Sequence, residues 1–207
     1  MNLTLVIFII AAYLIGSLSF AVIVSRVMGL ADPRSYGSNN PGATNVLRSG
    51  NKKAAALTLL GDALKGWVAV FIAQQLAPTF GLGATPVFEQ TIAAVALAVT
   101  IGHMWPIFFS FKGGKGVATA AGILLALNGW LGLATLGIWL FVAKGLKISS
   151  LSAIAAAIAA PFLCWWLLPV PVYIAAVIAI SALLIVRHKQ NIIGLLSGKE
   201  GKIGEKA

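Results

Sequence analysis

The chain has 207 residues, 59% of them hydrophobic and only 10% charged, with a mean hydropathy of +0.96, and several apolar runs exceed the ~18 residues that suggest a membrane-spanning helix. A soluble domain is excluded. The net charge of +10, from 15 basic and 5 acidic side chains, comes without a basic domain interleaved with aromatics that could read a nucleic acid strand, so it acts in loops, fixing topology and attracting anionic lipid or substrate.

The first apolar run, residues 3–24, has no basic segment before it and is too long for a signal peptide core, so it reads as a retained span. Gly16, Ser17 and Ser19 give it a patch of small residues that permits close helix approach. A polar loop follows over residues 26–53, with Arg34, Arg48, Lys52 and Lys53 against one acid, Asp32. Gly37, Ser38, Asn39, Asn40, Pro41, Gly42, Thr44 and Asn45 predict turns rich in hydrogen-bond donors. A loop of this length in a compact protein points to function.

Residues 54–77 form the next span and place Asp62 and Lys65 at i and i+3 on one helical face. Ionisable groups at membrane depth are costly, so either residues 54–60 enter along the surface or the pair lines a wet cavity; the surface entry is the preferred reading. The third span covers residues 87–109 and brings His103 close to its end. The span ends in the stretch over residues 102–119, which reads GHMWPIFFSFKGGKGVAT. Glycine lets backbone N–H groups turn toward a ligand, lysine adds full charge, and a helix starting near Val117 points its positive end at the same place. This is a candidate phosphate site, although a basic loop serving topology alone has the same composition. It is not a nucleotide P-loop, because the G-x-x-x-x-G-K-[ST] spacing is absent.

The run over residues 117–143 is long for one span and is interrupted by Asn128 and Gly129. As one helix it would put Lys144, Lys147 and the basic tail (Arg187, Lys189, Lys199, Lys202, Lys206) on the opposite face from the other basic loops. Split at Asn128, it gathers all of them on one face, as the positive-inside rule demands. With the last spans at residues 148–168 and 170–186, the expectation is an all-α polytopic membrane protein of seven helices, N-terminus outside and C-terminus cytoplasmic, forming a single domain. Cys164, the lone cysteine, reads as packing.

Three unlike polar segments thus converge on one face: the 26–53 loop, the GGKG loop, and a tail bearing Arg187, His188, Lys189 and Asn191. No His, Cys and carboxylate set suggests a metal, no cofactor motif is present, no G-x-S-x-G elbow occurs, and neither histidine is followed by an acid five residues on. The inventory suits phosphate binding at a membrane and direct transfer between two bound substrates by proximity and electrostatics.

Three stretches, GSLSFAVIVSRVMGLADPRSYGSNNPGATNVLR, GDALKG and GHMWPIFFSFKGGKGVAT, together with the HKQNI tail, closely resemble the PlsY family of bacterial acyl-phosphate:glycerol-3-phosphate acyltransferases. The resemblance implies seven helices in the bacterial inner membrane with a cytoplasmic-side active site. It implies acyl transfer from a fatty acyl phosphate to the 1-hydroxyl of glycerol 3-phosphate, giving lysophosphatidic acid and phosphate as the first step of phospholipid synthesis. By resemblance, Ser38, Asn39, Gly42, Thr44 and Asn45 belong to a loop around the phosphates with Arg48 as a cation. Lys112, Gly113, Gly114 and Lys115 hold a second phosphate, with Lys115 also a catalytic candidate. His188 and Asn191 look similar to tail residues near the acceptor hydroxyl. Asp62, Lys65 and His103 complete the candidate substrate-binding set. Membrane lipid and a soluble enzyme that makes the acyl phosphate are candidate partners. Gly194 stands where the family's tail usually carries a basic residue. Which base takes the acceptor's proton, His188 or a donor phosphate oxygen, is open at this stage. A transporter of a small anion is the alternative, disfavoured by cations confined to one face and by the lack of an internal repeat; a lipid-binding structural protein with a basic face is the third reading.

Overall fold

The computed structural model describes residues 2–204; Lys206 of the expected basic tail lies outside them. Among the described residues the chain forms helices and connecting turns, without a strand. Among the described residues four helices are long and apolar enough to cross a membrane alone: α4 (Lys52–Leu76), α5 (Val87–Met104, extended by a turn at Ile107–Phe109), α7 (Gly129–Leu146) and α8 (Ser149–Leu167). Two bent pairs raise the number to six, α1 (Leu3–Gly16) with α2 (Phe20–Val27) and α9 (Pro171–Arg187) with α10 (Lys189–Leu196). Between them stand two short helices, α3 (Ala43–Arg48) and the apolar α6 (Val117–Leu127).

The first expected span, residues 3–24, is corrected. It breaks by 43° at residues 17–19, and helix resumes at Phe20 and runs to Val27. The cause lies in close packing and in a freed carbonyl. A Cβ on Gly16 would sit 2.2 Å from the Val99 carbonyl oxygen, and one on Gly102 2.2 Å from that of Tyr13, so α1 and α5 pack backbone to backbone through glycine. Past the contact, the Leu18 carbonyl leaves the helical ladder and accepts from Lys65 Nζ at 2.6 Å. Inside a membrane an interrupted helix persists where a neighbouring side chain satisfies its backbone in this way.

The split at Asn128 stands. Asn128 is extended (φ −159°, ψ 123°), and its side chain caps α7 by accepting from the Leu131 N–H at 3.1 Å. Gln74 of α4 donates to the Ala126 carbonyl at 3.1 Å, satisfying one of the carbonyls left at the end of α6. With about 16 Å of rise, α6 is shorter than the ~30 Å hydrocarbon core. Gly66 and Gly122 allow its intimate packing on α4, since a Cβ on either would fall within 2.3 Å of a backbone oxygen of the other helix. The core runs through α1 and α4 to α9, with Ile92, Val95, Val99, Met104, Ile123 and Leu131 fully buried. Exposed Trp130, Trp165 and Trp166 lie at the start of α7 and the end of α8, away from the basic loops and where an interfacial aromatic belt belongs.

Candidate active site

The three polar segments meet. A cavity of about 280 Å³ is lined at one end by Ser38, Thr44, Arg48, Lys115, His188, Asn191 and Glu200, and continues between α6, α7, α8 and α9 as an apolar limb lined by Ile123, Leu136, Trp139, Ala156, Ala157 and Ile180. A second, open hollow shares Ser38, Arg48, Lys115, Asn191 and Glu200 with it, and is bordered by Asn39, Arg34, Lys112, Arg187 and Lys199. The two together form a cationic mouth leading into an apolar limb.

The 26–53 loop, expected as turns, contains the short helix α3, which carries Thr44, Asn45 and Arg48. Asn45 organises the loop. Its amide donates to the Pro33 carbonyl at 2.7 Å and the Tyr36 carbonyl at 3.1 Å, and accepts from the Ser38 N–H at 3.0 Å. Buried and so engaged, Asn45 sets the position of Ser38, and it also borders the cavity. Asn39 holds a left-handed backbone (φ 53°), a conformation asparagine tolerates better than most residues, and it borders the mouth with Ser38. Gly42 precedes α3, and Thr44 Oγ1 lies 3.0 Å from Ser149 Oγ at the start of α8. Arg34 is held by Asp32 at 2.7 Å, and its guanidinium keeps the Asp32 carboxyl below the usual carboxylate range.

The glycine loop proves to be gripped from both sides, which narrows the expected amide cradle. The Gly114 N–H donates to the His103 carbonyl at 3.2 Å. Arg187, stacked 5.5 Å from the Trp105 ring, donates to the Gly113 carbonyl at 2.9 Å and the Gly114 carbonyl at 3.1 Å. The carbonyls of Gly113 and Gly114 therefore face the arginine, while Lys115 and the start of α6 at Val117 border the cavity, where first-turn N–H groups lack intrahelical partners. Gly116 adopts a left-handed φ of 89° to start that helix. Lys112 is exposed at the rim.

Behind the loop lies the Asp62–Lys65 pair, and here the preferred surface-entry reading is corrected. α4 is one continuous helix, and Asp62 and Lys65 are 3% and 4% exposed inside the bundle. Lys65 Nζ is 2.9 Å from Asp62 Oδ1, and His103 Nδ1 is 3.6 Å from the same oxygen. The His103 ring packs under Gly114, where a Cβ would come within 2.3 Å of Nε2. A chain of polar contacts thus runs from the broken first span through Lys65, Asp62 and His103 to the glycine loop, and Asp62 and His103 also border the cavity.

At the junction of the two lobes, Lys115 Nζ donates to Asn191 Oδ1 at 2.5 Å. Burial holds the Lys115 ammonium below the ordinary lysine range, an effect that the Glu200 carboxylate only partly offsets. His188 is buried where α9 turns by 59° into α10. Its Nδ1 lies 2.7 Å from the Leu184 carbonyl; since a carbonyl only accepts, Nδ1 carries the hydrogen and Nε2 is left as an acceptor. Burial holds this imidazole below the ordinary histidine range.

Sequence reasoning missed Glu200, Arg187 as a clamp, and Ser150. Glu200 Oε1 accepts from Asn191 Nδ2 and from Ser150 Oγ, both at 2.6 Å, and so ties the tail to α10 and α8. Gly194 makes room for it, since a Cβ there would lie 2.8 Å from Glu200 Oε2. The available signal was that Glu200 is one of only five acids in a chain of charge +10.

The family model for glycerol-3-phosphate acyltransferase matches residues 6–198. A curated relative of that name from Chromobacterium violaceum is 61% identical over 207 residues, covering 100% of this chain and 98% of its own. The relative from Ralstonia pickettii is 63% identical over 202 residues, covering 97% and 95%. Among solved structures, the glycerol 3-phosphate form of PlsY (YgiH), an integral membrane glycerol 3-phosphate acyltransferase, superposes with a TM-score of 0.87 at 36% identity, covering 97% of this chain and 96% of that one. Its lysophosphatidic acid form gives 0.85 at 35% identity, covering 96% and 95%. The chain, an all-helical multi-pass membrane protein whose polar segments meet in one two-lobed cavity, belongs to the glycerol-3-phosphate acyltransferase family.

Proposed function

We propose that the chain transfers a fatty acyl group from an acyl phosphate to the 1-hydroxyl of glycerol 3-phosphate, releasing lysophosphatidic acid and inorganic phosphate without an acyl-enzyme. The observation that supports this most is the joining of a cationic mouth to an apolar limb, with Lys115, His188 and Asn191 at the junction. A phosphate and a hydrocarbon tail are thereby accommodated by one continuous space. Lys115, Arg48 and the α6 N-terminus favour the donor's phosphate; Lys112, Ser38 and Asn39 border the approach of the second anion. Family membership sets aside the anion transporter.

The chemistry follows from the groups present. An acyl phosphate is a mixed anhydride with a good leaving group, so the acceptor oxygen attacks the acyl carbon directly. The bond from that carbon to the phosphate oxygen breaks, and phosphate departs with the electron pair. His188 Nε2, the free acceptor of a neutral imidazole, takes the hydroxyl proton. Lys115 stabilises the charge that develops on the acyl and leaving oxygens, and Asn191 holds the lysine in place.

We also propose seven crossings, counting α6 and each bent pair as one, with the N-terminus outside, the basic face and active site in the cytoplasm, and the bacterial inner membrane as location. A soluble enzyme supplying acyl phosphate would then meet the cationic mouth. The test is purified protein given labelled glycerol 3-phosphate with palmitoyl phosphate or palmitoyl-CoA. Product with the phosphate donor alone is expected; product from the thioester alone would overturn the proposal. A tag placed after Ala207 should be reachable only from the cytoplasm, and periplasmic labelling would overturn the orientation.

A further inference from the structure

The apolar limb has a readable depth. Along α8 its lining runs from Ser149 at the polar end to Ala160, and along α9 from His188 to Val177, each about 16 Å of helix rise. On α7 the lining stops at Thr135 and on α6 at Leu124. The next turn of three of these helices supplies Leu131, Cys164 and Tyr173, which are buried in one cluster with Ala160 and Val177 and border no part of the cavity. The limb is therefore closed at its inner end. Its wall on α8 consists of Ala153, Ala156, Ala157 and Ala160, so the width of the limb there depends on side chains no larger than a methyl group.

We propose that this floor sets the longest acyl chain the protein accepts, with Ala160 and Val177 as the length-limiting contacts. The depth argues for chains of membrane-building length, because one leaflet occupies about half of the ~30 Å hydrocarbon core. The inference rests on the acyl phosphate reading above. A leucine at position 160 raises the floor, and a leucine at position 156 raises it again by one turn, about 6 Å.

The test is a donor ladder from decanoyl through lauroyl, myristoyl and palmitoyl to stearoyl phosphate, with labelled glycerol 3-phosphate and the purified wild type, Ala160→Leu and Ala156→Leu. The readout is the ratio of kcat/KM between long and short donors. That ratio should fall about tenfold for each two methylenes that lose their place in the limb, with the break in the ladder at shorter chains for Ala156→Leu than for Ala160→Leu. A ratio unchanged from wild type, or an equal loss at every chain length in both variants, overturns the assignment. Failure of the donor reading looks different: the wild type then uses no acyl phosphate of any length. The same break, expected in thermal stabilisation of the three proteins by lysophosphatidic acids of graded length, then decides the floor by itself.

Discussion

Replacing Asp62 by alanine would leave the Lys65 ammonium in the bundle interior with one partner, the Leu18 carbonyl at 2.6 Å. Both members of the pair are nearly sealed from solvent, at 3% and 4% exposure, and lie 2.9 Å apart. Breaking such a pair by removing one side costs about 3–5 kcal/mol, because the remaining charge stays buried. The surviving carbonyl contact places the expectation near the lower end, about 3 kcal/mol. For a chain of this size that corresponds to a fall in Tm of roughly 6–12 °C, measured by intrinsic fluorescence of purified protein in one detergent. The double change Asp62→Ala with Lys65→Met removes both charges and should recover most of the loss. An Asp62→Ala protein melting within about 2 °C of wild type, or a double variant no better than the single, would refute the reading of a buried pair that holds the first bend and the glycine loop together.

Lys115→Ala should lower kcat by about 10²–10³ with the fold intact, whereas Lys112→Ala, at the rim, should mainly raise KM; equal effects in steady-state assays would deny Lys115 its place at the junction. For His188→Ala, kcat should drop about 10²–10⁴ with little change in the KM for glycerol 3-phosphate. Since burial depresses the His188 pKa and the base acts when neutral, the acid limb of wild-type turnover should lie below the ordinary histidine value of about 6.5. An acid limb at or above that value would remove His188 as the base. Gly114→Ala must push against the His103 ring and should cost activity in acyl-transfer assays far more than Gly129→Ala, where a Cβ meets open space.

Most of the helical layout was legible in the sequence because apolar length and charge parity are both properties of the chain alone. The split at Asn128 was the clearest case: parity demanded a turn there, and asparagine supplied its cap. The break at residues 17–19 was not legible, because small residues also sit in unbroken helices, and what opens this one is a lysine 47 residues away. The burial of Asp62 and Lys65 likewise depended on which face of α4 turns inward, and spacing on one helix carries no such information. The convergence of Ser38, Lys115, His188 and Asn191 was legible from topology once the basic loops shared a face. The division of labour among them was not, since Asn45 and Arg187 act through backbone carbonyls brought together only by folding. The apolar limb left no mark in helices that are apolar on nearly every side.

The central claim, direct transfer within one two-lobed cavity, is tested by the intact mass of the denatured protein after incubation with palmitoyl phosphate alone, followed by addition of glycerol 3-phosphate. The account predicts an unchanged mass in the first step and lysophosphatidic acid only after the second. A protein carrying one palmitoyl group that it then passes to glycerol 3-phosphate would contradict it.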